Sequence, residues 1–263
     1  MTANELFQAG KLADATAAQI AKVKANPTDN RARMFLFELF LFAGDLDRAI
    51  KQLGALQYDK QEQLAAVAHF RQTVDAEAKR RAVFAGTADP DSLSAPPEHV
   101  LKRLAGVKAL AAGDAAGAGK LFAEAAACTP VVTASVNDQP AAPLTDADER
   151  FGTVLEVFGS GGAYAWVPLE TVASITLAPP AGPRDIFWRP ARIVTKEGVD
   201  GDVLLAGLYP NAHLSADEEL KLGRATDWLS DSPDLTVGLG GRLYLSGGNS
   251  LPFVTITDIE ATD

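Results

Sequence analysis

The stretch Ala9-Gly10-Lys11-Leu12-Ala13-Asp14-Ala15 returns as Ala43-Gly44-Asp45-Leu46-Asp47-Arg48-Ala49, displaced by 34 positions. It returns again as Ala112-Gly113-Asp114-Ala115-Ala116-Gly117-Ala118, a further 69 on and close to two periods. The physical content of each copy is the same. Glycine accepts the backbone of a tight turn between two helices, and the small alanine that follows lets the helices approach. Pro27 follows Gly10 by 17 positions, and Pro130 follows Gly113 by the same 17; the middle copy has Gln61 there. Proline disfavours helix in the residue before it, so each proline marks the end of the second helix of its unit.

A period of 34 residues is that of tetratricopeptide repeats. Outward from the turns, the pattern predicts helices over Asn30–Ala43, Asp45–Leu56, Lys60–Gly86, Glu98–Ala112 and Asp114–Ala127. Asp29 or Asn30 is the N-cap of the first of these. In Lys60–Gly86 the apolar residues Leu64, Val67, Phe70, Val74 and Ala78 fall at helical spacing. Thr87–Pro97, rich in Asp, Ser and Pro, reads as a loop. One helix departs from amphipathic spacing: across Met34–Phe42 only Glu38 is polar. Such a helix is either sandwiched between neighbouring repeats or presents a face to a partner. On the second reading Phe35, Phe37, Phe40 and Leu41 are the candidate partner contacts, with Phe37 or Phe40 the exposed member.

Val131–Asp148 mixes Pro, Ala, Asp and Thr without periodicity and reads as a linker between a helical domain, 1–130, and a second domain, 149–263. Beyond it the periodicity changes to that of strands. Gly152–Phe158 and Ala163–Pro168 flank Gly159-Ser160-Gly161-Gly162 as a hairpin. Further strands are expected at Val172–Leu177, Arg192–Lys196, Val203–Leu208, Leu243–Ser246 and Phe253–Ile259, with a short helix over Ser215–Arg224. The expected fold class is therefore α+β: a tetratricopeptide-like helical module followed by a small antiparallel, barrel-like domain.

Composition narrows the function. The net charge is −10. Residues 1–145 hold 16 basic and 16 acidic side chains, whereas 146–263 hold 8 and 18, so the second part carries the whole imbalance. An acidic surface repels phosphate backbones and disfavours nucleic acid. No run of about 18 apolar residues occurs, so no membrane span is expected. Met1–Gly10 lacks the basic and apolar segments of a signal peptide, and cytoplasmic residence is the expectation. Cys128 is the single cysteine, which excludes an internal disulfide or a multi-cysteine zinc site.

Catalytic and cofactor patterns fail in turn. Gly117-Ala118-Gly119-Lys120-Leu121 has Asp114 where a phosphate loop needs its first Gly, and Leu121 in place of Ser or Thr. Gly238-Leu239-Gly240-Gly241 has Leu243 where a dinucleotide fingerprint needs its third Gly. Gly159-Ser160-Gly161 lacks the spacing of a nucleophile elbow. His69, His99 and His213 have no neighbours at metal-ligand spacing. Asp217-Glu218-Glu219 is either an acidic metal cluster or, at a helix start, a complement to the dipole. No catalytic residue, cofactor or metal is expected.

With both halves read, the chain resembles the ImpE family, also called TagJ, of accessory proteins in bacterial type VI secretion. The N-terminal match rests on Ala9-Gly10-Lys11-Leu12, Asn26-Pro27, Leu36-Phe37-Glu38-Leu39 and Phe42-Ala43-Gly44-Asp45. The C-terminal match is more specific. It runs through Tyr164-Ala165-Trp166-Val167-Pro168, Ile175, Pro179-Pro180, Arg184-Asp185 and Trp188-Arg189-Pro190-Ala191. It continues through Tyr209-Pro210 and Arg224-Ala225-Thr226-Asp227-Trp228 to Gly238-Leu239-Gly240. Ala165 stands where a second Tyr beside Tyr164 is expected.

The resemblance implies binding without turnover: an adaptor for the sheath small subunit, TssB-like, and in some systems for the ClpV unfoldase. The sheath component would enter a repeat groove as an amphipathic helix. Two other classes stay open. One is a small-molecule sensor in the second domain, with Trp166, Trp188 and Trp228 lining a pocket. The other is a hydrolase built on that domain's carboxylates.

Overall fold

The structure, a computed structural model, describes residues 1–92, 94–229 and 235–262. Its first half is helical: α1 (Ala3–Gln8), α2 (Leu12–Ala25), α3 (Asn30–Phe42), α4 (Leu46–Gly54), α5 (Gln61–Phe84), α6 (Glu98–Ala111) and α7 (Ala115–Cys128). Three hairpins, α1–α2, α3–α4 and α6–α7, turn at Gly10, Gly44 and Gly113. The Gly-Asp pair at two of these turns serves both helices. Gly44 and Gly113 take positive φ of 78° and 84°, while Asp45 and Asp114 accept hydrogen bonds from Arg48 N and Gly117 N to cap the next helix. Asp29 caps α3 through Ala32 N. The two prolines mark helix ends: α2 stops at Ala25 and α7 at Cys128. Of the loop expected over Thr87–Pro97, Leu93 lies outside the described residues.

The remainder holds β1 (Thr133–Val136), β2 (Ala142–Asp146), β3 (Val154–Phe158), β4 (Tyr164–Pro168), β5 (Val172–Leu177), α8 (Pro183–Phe187), β6 (Trp188–Thr195), β7 (Asp200–Ala206), α9 (Glu218–Lys221), β8 (Thr226–Leu229), β9 (Val237–Gly240), β10 (Leu243–Ser246), β11 (Asn249–Pro252) and β12 (Asp258–Ala261). Ten strands form one antiparallel sheet in the order β11-β10-β2-β1-β12-β5-β6-β7-β3-β4, and β8–β9 is a separate ribbon.

Four expectations are corrected. Among the described residues the sheet does not close into a barrel: β4 and β11 are its two ends. The outer edge of β4 is met by Asp91, whose N–H donates to Tyr164 O at 2.7 Å and whose carboxylate accepts from Tyr164 N at 3.1 Å. The stretch 131–148, expected as a linker without periodicity, holds regular structure. It carries β1 and β2, with Ala134, Val136 and Leu144 buried, because β1 pairs with β12 and β2 with β10. The helix expected over Ser215–Arg224 shrinks to α9, capped by Asp217, and Phe253–Ile259 divides into a 3-10 turn and the start of β12.

Two apolar clusters follow from strand alternation. Leu155, Val157, Ile193 and Leu205 point into the curve of the sheet with Val172, Ile175 and Phe253. Phe158, Trp188 and Ala206 point the other way and join the core of the helices. An aromatic chain crosses the join: Phe7–Phe42 at 5.9 Å, Phe42–Phe187 at 5.4 Å and Phe187–Trp188 at 5.0 Å between centroids. Helices and sheet thus share one core.

Candidate functional site

The charged residues at the join are candidates for chemistry, and their geometry defines what they do. Arg80 of α5 donates through Nε and Nη2 to the two oxygens of Glu156 on β3, at 2.7 and 3.0 Å, and through Nη2 to Leu208 O at 2.8 Å. Arg242 also pairs with Glu156 and, at 3.1 Å, with Asp146. Tyr164 OH donates to Glu156 at 2.5 Å, Trp166 Nε1 donates to Tyr164 OH at 2.8 Å, and Tyr209 OH donates to Asp146 at 2.8 Å. Burial alone would raise the Glu156 carboxyl, but Arg80 and Arg242 outweigh it and hold the pKa at about 2. At Asp146 burial wins over Arg242, and the pKa rises to about 7. Both carboxylates have fully buried side chains. Each is paired or hydrogen-bonded within the seam, an arrangement that joins helix to sheet.

The open site lies beside this seam. Strand register places Phe158 opposite Leu204 and Leu204 opposite Pro190, so the three form an apolar row on the helix-facing side of the sheet. One step along, Thr176, Arg192 and Asp202 form a polar row. The helices stop short of this face. The first turns of α5 stand clear of the body, with Leu64 44% exposed, and His69 closes one side of the gap. The result is a groove of about 560 Å³, floored by Phe158, Pro190 and Leu204, with Ala178 and Pro179 at the far wall. Its rim is acidic: Arg192 pairs with Asp200 at 2.6 Å and lies 3.9 Å from Asp202, which leaves a carboxylate in excess. An apolar floor with a charged rim is suited to an amphipathic segment.

The residues singled out in α3 lie elsewhere. Phe37, Phe40 and Leu41 are buried in the shared core, and Phe35 is half-buried, edge-on to Phe7 at 5.9 Å. Around them α3 is packed by α2 and α4 and, through Phe42, by α8. Glu38, the polar exception, faces α8: Arg184 is 3.7 Å away, and burial raises the carboxyl to about 7 against Arg184, with Asp185 adding to the rise.

The tryptophans do not share a pocket. Trp166 and Trp188 are core residues, and Trp228 is 36% exposed beside Tyr209. His213 covers Gly44, and His99 pairs with Glu170 at 2.6 Å. Asp217 caps α9, whereas Glu218 accepts from Ala13 N at 2.7 Å and Glu219 stands over Gly10. Among the described residues no group of three metal-ligating side chains converges. Pro179, Pro190 and Ala191 stand in stretches that carry the family resemblance, but no sequence pattern joins them to Phe158 and Leu204. Only the pairing of β3, β6 and β7 brings 158, 190 and 204 together.

A family model described as "ImpE protein" matches residues 138–260. The chain is also 34% identical over 265 residues to the type VI secretion system accessory component TagJ of Pseudomonas aeruginosa, covering 100% of this chain and 92% of that one. The fold is similar to the crystal structure of protein VPA1032 from Vibrio parahaemolyticus, with a TM-score of 0.89 at 23% identity over 99% of this chain and 97% of that one.

Proposed function

From the premise that this chain belongs to the ImpE family, whose relative TagJ is a type VI secretion accessory component, we propose that it is a non-catalytic adaptor which receives an amphipathic helix of the sheath small subunit. The observation that carries this reading is the groove beside α5, an apolar strip of sheet face that the helices leave open. An amphipathic helix lays apolar anchors at i, i+3 and i+7 into such a strip, and basic residues on its flank meet Asp200 and Asp202. The hairpins at Gly10, Gly44 and Gly113 are read as tetratricopeptide-like units. The ClpV unfoldase is a second partner of the same assembly, and a cytoplasmic residence goes with both partners. Among the described residues no helix is long and apolar enough to cross a membrane.

The test is a titration of the protein with a peptide from the N-terminal helix of the sheath small subunit. Ala178 and Asp202 are both exposed, so Ala178→Trp and Asp202→Lys leave the fold intact. Ala178→Trp, which fills the groove, is expected to weaken binding by at least about tenfold, as loss of an apolar anchor site does. Asp202→Lys lowers the association rate and its salt dependence. Unchanged affinity in both variants, with the peptide still bound, would put the partner on another face.

A further inference from the structure

We propose that the cleft between α8 and the segment following β11 binds a small organic anion with an apolar body. The cleft measures about 430 Å³ and is lined on its apolar side by Ile186, Leu222, Pro252 and Phe253. That volume falls in the range of about 300–1,000 Å³ typical of small-molecule sites. It is separate from the groove of the adaptor reading and shares no lining residue with it.

The charge of the lining selects the ligand. Arg189, Arg224 and Arg242 line the cleft with a single carboxylate, Asp185. Arg189 gives its N–H groups to the carbonyls of Ala178, Val254 and Ile256, at 2.6, 3.0 and 3.2 Å. Arg224 gives its own to Phe7 O and Gln8 O at 2.7 and 3.0 Å, and its nearest carboxylate, Glu219, is 3.9 Å away. Carbonyls hold a guanidinium in place and leave its charge unneutralised. Arg242 is matched by Asp146 and Glu156, so the excess charge of the cleft is that of Arg189 and Arg224. In a chain of net charge −10, a cleft with this excess of cations attracts an anion, and its apolar wall asks for a hydrophobic body.

The probes are anilinonaphthalene sulfonate, which joins an aromatic body to one sulfonate, and its neutral counterpart N-phenylnaphthylamine. Fluorescence titration of the full chain is expected to show saturable one-to-one binding of the sulfonate. The neutral dye should bind at least tenfold more weakly, and decanoate should displace the sulfonate. Val254 lines the cleft and is 42% exposed, so Val254→Trp fills the cleft from the surface without disturbing the core. It should reduce sulfonate binding at least tenfold, while Ala178→Trp in the other groove leaves it unchanged. Arg224→Gln should weaken the sulfonate and not the neutral dye. Equal binding of the two dyes would overturn the anion requirement, and full binding by Val254→Trp would overturn the site.

Discussion

The turns at Gly44 and Gly113 have the same local design and opposite surroundings. Both glycines take positive φ, and both are followed by an aspartate that caps the next helix. At Gly44 the ring of His213 stands where a Cβ would go, and Arg81 donates to the glycine carbonyl at 2.7 Å. At Gly113 nothing lies within 4 Å of that position. Gly10 resembles Gly44, with the Glu219 carboxylate over it. The first two hairpins are therefore docked by their turns onto residues 211–224 of the sheet half, whereas the third turns in the open. An identical local code serves two tertiary purposes, and the partner residues decide which.

The largest effect expected is at the seam that this docking complements. Arg80→Ala leaves Glu156 and Glu77 buried with less positive charge, and loss of one member of a buried pair costs about 3–5 kcal/mol. Urea denaturation measures it. Because helices and sheet share one apolar core, both the parent and the variant should unfold in a single transition at all probes. Two separate transitions in the parent would show that the halves fold independently.

The turns themselves come next. Alanine at Gly113 meets only the left-handed backbone penalty, about 1–2 kcal/mol. Alanine at Gly44 meets that and the His213 ring, and overpacking adds about 1–3 kcal/mol. The excess should vanish in a His213→Ala background, which a double-mutant cycle measures directly. Equal costs at Gly44 and Gly113 in the parent would mean that His213 yields freely.

The same contrast marks what is legible in the sequence. The Ala-Gly-x turns, their caps and the terminating prolines depend on neighbours within a few residues, so the pattern that locates α3, α4, α6 and α7 is complete in the sequence. The strands β3, β4 and β5 show by alternation. β1 and β2 do not, because Val131–Asp148 is short and broken by Pro140 and Pro143, and its pairing partners, β12 and β10, lie about a hundred residues away. Burial of Phe37 and Phe40 is one of two readings of an apolar helix, and only the packing of α2, α4 and α8 decides between them. The groove is illegible for the same reason as β1. It is made by register, and register has no local signature.

Glu38 offers a smaller, pH-dependent measure of how closely α3 sits on α8. Its folded pKa of about 7 lies above the ordinary 4.5, so the folded state holds the proton more tightly than the unfolded one. Stability contributed by this group is present below pH 4.5 and is lost as pH rises through 7. Glu38→Gln mimics the protonated acid. It should match the parent near pH 4.5 and exceed it above pH 7 by about 1–3 kcal/mol, since each tenfold difference in proton affinity between folded and unfolded chain is worth about 1.4 kcal/mol. A constant difference across this range would mean that Arg184 keeps Glu38 ionised throughout.

The smallest effect concerns the one copy of the turn whose sequence departs from the others. Lys11 stands where Asp45 and Asp114 stand, and a lysine cannot accept the hydrogen bond that caps a helix. The structure supplies the missing acceptor from a distance: Glu218 of α9 takes Ala13 N at 2.7 Å, at the start of α2. Glu218→Ala should therefore cost what loss of an N-cap costs, about 1 kcal/mol, even though Glu218 lies in the sheet half. Lys11→Asp in that background places an acceptor where the other two copies have one and should recover most of the loss. In the parent, Lys11→Asp should gain nothing, because the site is already capped and the new carboxylate would face Glu218. Chemical denaturation of the three variants gives the order. If Lys11→Asp stabilises the parent as much as the Glu218→Ala background, the long-range cap contributes nothing, and docking of the first hairpin rests on Glu219 and Arg224 alone.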